Sequence, residues 1–201
     1  IRVKQQRHGS NKAESSGAGG SLSIGQYLVW VALAALGLAL MAYSPALDGP
    51  FVLDDNYLPL GRPDAERLPL EVLTFGRPLL GLTYYANFLL SGQKPAAYHI
   101  TNVLLHAVVS SIVFVILRLA LRDGSRRDTL LAAFGAAVFL LHPLQTEAVA
   151  YVAGRSDVLS TLFAYAALLV FLRYRQPAIE FGAVALILGL SFLALLSKQT
   201  A

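Results

Sequence analysis

Long uncharged apolar stretches alternate with shorter polar segments along most of this chain. The first runs from Leu22 to Tyr43, which is long enough to cross a hydrocarbon core of about 30 Å. Four more apolar stretches lie at 99–117, 129–141, 158–172 and 181–196. The last two are short for a crossing and need flanking Ser, Thr, Tyr or Arg to complete it. The pattern predicts an all-α, polytopic membrane helix bundle with about five transmembrane helices.

The polar start of the chain contrasts with this bundle. Residues 1–21 are rich in Gly, Ser, Lys and Arg without an apolar period, which predicts a disordered tail before a membrane domain at 22–201. A cleaved signal peptide is the alternative to a first span, but the leading tail and the apolar run are both long for one. The chain begins with Ile1 rather than Met and stops just after an apolar run. We therefore expect a fragment of a longer protein.

Two polar segments interrupt the spans in informative ways. Residues 44–98 form a long loop with many prolines, and apolar positions recur at helical spacing from Arg77 to Leu90. They predict an interfacial helix with Tyr84 and Tyr85 at the level of the lipid headgroups, or alternatively a helix that packs on the bundle. The third span is short, so we expect it to continue past a kink into the segment at Pro143.

Composition supports a membrane protein and excludes several other classes. Hydrophobic residues make up 56% of the 201 residues, charged residues 14%, and the mean hydropathy is +0.58. A soluble domain normally has about a quarter of its residues charged. The chain has no Cys, which excludes disulfides, thiolate nucleophiles and Cys-ligated metals.

Charge is distributed unevenly between the two sides of the predicted bundle. On one side, residues 1–21, 118–128 and 173–180 together hold ten Lys and Arg but four acids. The other side holds six Lys and Arg and eight acids. The positive-inside rule therefore predicts a cytoplasmic amino terminus and an extracytoplasmic 44–98 loop. The net charge of +4 is explained by membrane orientation rather than by nucleic-acid binding.

Candidate chemistry lies mainly on the predicted outer side. Asp54 and Asp55 are adjacent acids with apolar neighbours close to the membrane surface. Burial and a neighbouring carboxylate both raise a carboxyl pKa, which suits a general base or a metal ligand. A solvated Asp-Asp-Asn turn is the alternative.

The second span carries a polar stripe. His99, Asn102, His106 and Ser110 follow one another at intervals of three and four residues, which places them on one helical face. Ionisable groups at membrane depth usually face a cavity or a polar partner. We predict interhelical hydrogen bonds for His106 and a cavity-lining position for His99.

The segment from His142 to Asp157 contains a third set of polar side chains. Glu147, Tyr151 and Arg155 recur every four residues, so a short helix would align them. They could hold a metal, a phosphate or each other, and a structural Glu147–Arg155 pair is the simplest alternative. Arg suits phosphate because its planar fork binds two oxygens at once.

Five segments, taken in order, resemble the transmembrane and tetratricopeptide-repeat O-mannosyltransferase family and its bacterial relatives, which are GT-C glycosyltransferases. The resemblance covers roughly residues 25–201 and rests on Phe51…Asp54-Asp55, Arg77-Pro-Leu, Tyr98-His99…Asn102…His106, His142-Pro143…Glu147…Gly154-Arg155 and Ser197-Lys198. Relatives commonly have Glu where this chain has Gln199, and no 34-residue helical repeat is found here. The resemblance therefore implies the amino-terminal membrane part of such a protein, inactive by itself.

The resemblance also implies an activity. GT-C enzymes move a sugar, here mannose-like, from a polyprenyl-phosphate donor to an extracytoplasmic protein or glycan. Asp54 or Asp55 would be the base, Glu147 a second acid, and Arg155 the group that stabilises the leaving phosphate. The other substrate or lipid-phosphate contacts would be Arg77, His99, His142 and Tyr151.

Some features of the activity stay open at this point. No cofactor is implied, although a divalent cation is compatible with the acids. The membrane would be the bacterial inner membrane or the endoplasmic reticulum. A non-catalytic scaffold or a transporter is the alternative, but acids gathered at the outer face favour the transferase.

Overall fold

The structure is a computed structural model that describes residues 24–57, 76–121, 125–174 and 179–198. The predicted tail at 1–21, part of the predicted long loop at 58–75 and the position of Gln199 lie outside these residues.

The described residues form seven α-helices and contain no β-strand, which confirms the all-α membrane bundle. The helices are α1 (Ile24–Leu47), α2 (Pro78–Ser91), α3 (Pro95–Leu121), α4 (Arg126–Leu141), α5 (Gln145–Ala150), α6 (Arg155–Tyr174) and α7 (Phe181–Ser197). Two 3₁₀ turns, Leu53–Tyr57 and Val152–Gly154, follow α1 and α5.

Three helical segments are long and apolar enough to cross a membrane. They are Gln26–Leu47, Pro95–Leu121 and Val152–Tyr174, and they coincide with the first, second and fourth predicted spans. The helices at the other two predicted spans, α4 and α7, have 16 and 17 residues. At 1.5 Å per residue they are about 25 Å long, which is slightly less than the hydrocarbon core.

Helix α3 lies at the centre of the bundle. It contacts α1, α4 and α6, while α7 packs against α6, and α2 contacts α3, α6 and α7. Small side chains are buried where α1 meets α3, including Ala35, Ala39 and Ala107. Small residues let helix backbones approach closely. Lipid chains are as apolar as the helices, so the hydrophobic effect does not drive helices together in a bilayer, and close packing stabilises their association instead.

The polar stripe of α3 faces the protein, as its spacing predicted. His99, Asn102, His106 and Ser110 are each at most 3% exposed. His106 Nε2 lies 3.1 Å from the Leu140 carbonyl oxygen, and Tyr43 donates its hydroxyl to the same oxygen at 3.2 Å. The last four carbonyls of a helix have no hydrogen-bond donor within that helix. His106 and Tyr43 supply the donors for one of them, the Leu140 carbonyl near the end of α4. The interhelical hydrogen bond predicted for His106 is thereby confirmed.

The prediction that the third span continues beyond Pro143 is wrong. Helix α4 ends at Leu141, His142 has extended backbone angles, and α5 starts separately at Gln145. The proline ring clashes with helical geometry in the preceding turn and lacks an N–H to donate, so the helix stops.

The helix predicted at Arg77–Leu90 is present as α2, but Tyr84 does not lie among lipid headgroups. Its side chain is 1% exposed and its hydroxyl donates to the Val152 carbonyl at 2.9 Å. Of the two alternatives for this segment, the structure shows the helix that packs on the bundle. The reason is that Tyr84 finds an apolar environment and a hydrogen-bond acceptor inside the protein.

Candidate functional site

The two 3₁₀ turns meet at one end of the bundle, and two side chains hold them together. Asp55 is 3% exposed, and its carboxylate accepts from the Ala153 N–H at 2.7 Å and the Val52 N–H at 3.2 Å. Tyr151 accepts the Asp54 N–H on its hydroxyl oxygen at 2.8 Å. Charge-assisted bonds of the Asp55 type contribute about 1.5–3 kcal/mol each. The acidic turn is therefore fixed to the loop between α5 and α6.

Asp54 differs from Asp55 in its surroundings. Its side chain is exposed, and it follows Leu53, which has φ 47° in the left-handed region. A leucine there costs on the order of 1–2 kcal/mol, so the turn persists because its surroundings impose it. The result is a solvent-facing carboxylate on a strained turn whose two anchors are Asp55 and Tyr151.

Behind this turn, the guanidinium of Arg155 is fully buried. Its Nε donates to Asn102 Oδ1 at 2.7 Å, Nη1 to the Thr83 carbonyl at 3.2 Å, and Nη2 to the Tyr98 carbonyl at 3.1 Å. These three partners lie on α3 and α2. The planar fork of Arg makes this possible, since its donors point in fixed and different directions.

Two aromatic rings complete the environment of Arg155. Its Cζ atom lies 4.5 Å from the ring centre of Tyr84 and 5.7 Å from that of Tyr98. Electron-rich ring faces attract a cation within about 6 Å, more strongly once water is excluded. Carbonyl oxygens and ring faces thus surround this buried cation.

The alignment predicted for Glu147, Tyr151 and Arg155 is wrong. Helix α5 ends at Ala150, Tyr151 has extended backbone angles, and Arg155 starts a new helix. Glu147 is exposed, while Arg155 is buried against the partners described above, so the simple Glu147–Arg155 pair is absent as well. Because the helix breaks between them, Glu147 faces the exterior whereas Arg155 faces the interior.

Burial and nearby negative charge raise the pKa of Tyr84 and Tyr151. Burial raises the pKa of Tyr84 well above its ordinary value; the Asp55 carboxylate acts in the same direction, and Arg155 and Arg77 oppose it. Removal of water also raises the pKa of Tyr151, and the negative charges of Asp54 and Asp55 raise it further. Both phenols therefore act as neutral hydrogen-bonding groups at physiological pH.

The remaining predicted site residues lie around the same end of the bundle. Arg77 is half-buried directly before α2, and His142 is exposed between α4 and α5, where its Nδ1 accepts from the Leu144 N–H at 3.2 Å. His99 is 3% exposed, with Nε2 3.2 Å from the Gly49 carbonyl oxygen. Its Nδ1 has no hydrogen-bond partner among the residues that the structure describes.

Helices α6 and α7 are tied together beside this region. Lys198, which directly follows α7, forms an ion pair with Asp157 in the first turn of α6.

Within the described ranges, no three His, Asp or Glu side chains are grouped so that they could hold a metal ion.

Asn102 has contacts in the structure that the sequence did not specify. Its carbonyl oxygen accepts from Arg155 Nε, and its amide donates to the Tyr151 carbonyl at 3.0 Å. It thus connects the buried cation to the loop that holds the acidic turn. The available signal was its place on the polar face of α3, which indicates a partner but not its identity.

Comparison with known proteins gives a consistent set of relatives. Protein O-mannosyl-transferase Tmtc1 of Drosophila melanogaster is 40% identical over 127 residues, which is 62% of this chain and 14% of that protein. Human protein O-mannosyl-transferase TMTC3 is 38% identical over 125 residues, 61% of this chain and 13% of that protein. Human protein O-mannosyl-transferase TMTC4 is 33% identical over 174 residues, 72% of this chain and 23% of that protein.

These alignments extend over most of the chain but less than a quarter of each of these relatives. No protein-family model and no solved structure matches the chain. The relatives are 31–40% identical to this chain over about 60–75% of its length. The chain is thus a homologue of the TMTC protein O-mannosyl-transferases, the family that its motifs predicted.

Proposed function

We propose that this chain supplies the acidic side of the active site of a membrane glycosyltransferase that moves a mannose-like sugar onto a protein. The observation that carries the proposal is the exposed Asp54 carboxylate on a strained turn, anchored to the bundle by Asp55 and Tyr151. The relatives support the reaction class, since their names describe protein O-mannosyl transfer.

The two acids have different roles in this proposal. Asp55 uses both carboxylate oxygens on backbone N–H groups and is buried, so it positions the turn. Asp54 presents its carboxylate to solvent, where an acceptor hydroxyl can reach it. A general base must come within hydrogen-bonding reach of the proton that it removes, and of the two only Asp54 is accessible.

The reaction follows from this placement. The Asp54 carboxylate takes the proton of an acceptor hydroxyl while that oxygen bonds to the anomeric carbon of the donor sugar. The bond between the anomeric carbon and the phosphate oxygen breaks, and its electron pair leaves with the phosphate. Glu147 and His142 are exposed and Arg77 is half-buried at this end of the bundle, and we propose that these three side chains contact donor or acceptor.

Arg155 has a structural role in the proposed site. Its buried guanidinium links α2, α3 and α6 behind the acidic turn. Direct contact between Arg155 and a phosphate stays a prediction, and it would require the guanidinium to be uncovered. We propose that His99 and Tyr151 also support the acidic turn, since His99 bonds to the Gly49 carbonyl before it and Tyr151 bonds to the Asp54 N–H within it.

The donor and the membrane side are also part of the proposal. A polyprenyl-phosphate sugar fits an enzyme of this kind because its tail dissolves in the bilayer while its phosphate stays at the interface. The excess of acids near Asp54 and of Lys and Arg at the other end of the bundle supports an extracytoplasmic site. The acceptor would then lie outside the cytoplasm, and it would be a protein, since the relatives' names describe transfer to a protein.

Paired substitutions of the acids test this proposal in membranes from cells that express the complete reading frame of the gene. Asp54→Asn removes the base and keeps the shape, so sugar transfer should fall by roughly 10²–10⁴-fold while thermal stability is unchanged. Asp55→Ala leaves two N–H groups without their acceptor and should lower stability by about 2–4 kcal/mol.

Asp48→Asn is the matched control, because Asp48 is an exposed carboxylate on the same side just after α1. Its transfer rate should stay near that of the unmodified protein. Full transfer activity in Asp54→Asn, with the variant present in the membrane at normal levels, would disprove the role of Asp54.

A further inference from the structure

A second site lies at the opposite end of the bundle from Asp54. It is a cavity of about 920 Å³ between the start of α1, the end of α3, the start of α4 and the end of α6. Tyr27 lines it and precedes the end of α1 by 20 residues, which corresponds to about 30 Å along the helix. The cavity is therefore separate from the proposed transferase site.

The cavity walls combine apolar side chains with two cations. Arg118 and Arg173 stand at its rim on α3 and α6, and Tyr27, Tyr174 and Thr129 add hydroxyl groups. The rest of the described lining is apolar: Leu28, Phe114, Val115, Leu119, Leu169 and Val170. An apolar wall with a few convergent polar groups is typical of a ligand site, and this volume lies in the usual range of about 300–1,000 Å³.

One of the cations is held in place before any ligand arrives. Arg118 donates its Nε to Thr129 Oγ1 at 3.0 Å, and Thr129 in turn donates to the Ser125 carbonyl at 3.1 Å. This bond uses the Nε hydrogen and fixes the plane of the guanidinium. Pre-organisation of this kind lowers the entropy that a bound anion would otherwise cost.

We propose that this cavity binds one anionic phospholipid, with its phosphate on Arg118 and Arg173 and an acyl chain along the apolar wall. The charge of the two guanidiniums complements a phosphate, and Arg binds phosphate oxygens through its planar fork. The cavity lies at the end of the bundle that carries the Arg-rich segments, where a bilayer presents its headgroups. A water-soluble anion would leave the apolar wall unfilled. This proposal is independent of the transferase activity.

Lipid binding to the protein, expressed from its complete reading frame and purified in mild detergent, tests the proposal. Native mass spectrometry would compare dioleoyl phosphatidylglycerol with dioleoyl phosphatidylcholine, which has the same chains and no net charge. We expect at least roughly tenfold tighter binding of phosphatidylglycerol, equivalent to about 1.4 kcal/mol. The variant pair Arg118→Gln with Arg173→Gln should remove this preference.

The matched control is Arg126→Gln with Arg127→Gln, which removes the same charge from the exposed first turn of α4 outside the cavity. This control should keep the lipid preference. Arg173→Gln alone is included because Arg118 also bonds to Thr129 and its loss could disturb the fold. That single variant should retain its thermal stability and lose roughly tenfold in affinity.

Three results would overturn the proposal. The first is equal binding of the two lipids. The second is an equal loss of preference in the Arg126/Arg127 control, which would indicate a diffuse charge effect. The third is displacement of phosphatidylglycerol by millimolar glycerol 3-phosphate, which would show a soluble-anion site without a lipid chain.

Discussion

Replacement of Arg155 is the sharpest test of how this end of the bundle is held together. Lys keeps the positive charge, and Met keeps an unbranched chain of similar length without a charge. The guanidinium is completely buried and bonds to three acceptors that lie in different directions, Asn102 Oδ1, the Thr83 carbonyl and the Tyr98 carbonyl. A single ammonium group cannot reach all three.

The magnitude follows from these contacts. Hydrogen bonds to a charged group contribute about 1.5–3 kcal/mol each, and Met loses three of them. Met also removes the cost of keeping a charge away from water, which is several kcal/mol and offsets part of the loss. Lys keeps that cost and still loses most of these three hydrogen bonds. We therefore expect both variants to lose about 3–5 kcal/mol, with Lys no milder than Met.

The assay is reversible unfolding of the 201-residue chain in detergent micelles with increasing dodecyl sulfate, followed by circular dichroism. Arg173→Lys and Arg173→Met are the controls, because Arg173 lies on the same helix but is exposed. Surface substitutions of this kind usually change stability by less than about 0.5 kcal/mol.

The reasoning would be refuted if Arg155→Lys were within about 1 kcal/mol of the unmodified chain, since a point charge would then be enough. The charge swap Arg155→Glu with Glu147→Arg is a second test. Glu147 is exposed and takes no part in the contacts of Arg155, so the swap should not restore stability, and restored stability would refute the reasoning.

Two further predictions concern packing and orientation. A methyl group on Gly154 would lie 2.6 Å from the Glu147 carbonyl oxygen, so Gly154→Ala should lower the thermal unfolding temperature, whereas Gly189→Ala, with open space around it, should raise stability by roughly 0.5–1 kcal/mol. The chain has no Cys, so Lys94→Cys and Arg127→Cys give clean labels beyond the two ends of α3. In intact cells an impermeant thiol reagent should modify Lys94→Cys alone, and the reverse pattern would contradict the proposed orientation.

Much of the fold could be predicted because it depends on local sequence. The length of an apolar stretch decides whether a helix can span the bilayer, and every backbone group there must bond internally, which favours helix. The intervals between His99, Asn102, His106 and Ser110 fixed one helical face irrespective of neighbours. The predictions failed at two helix ends: α4 stops before Pro143 instead of kinking there, and α5 stops before Tyr151.

The sequence by itself therefore determined the membrane class, the main helices, the family and the pair of candidate acids. Only the tertiary structure decided which acid is exposed and what Arg155 contacts. The physical reason is distance along the chain. The backbone N–H of Asp54 bonds to Tyr151, 97 residues away, whereas the carboxylate of Asp55 bonds to Ala153, 98 residues away. No local pattern encodes such a pairing, because the packing of both α1 and α6 on α3 brings the two turns together.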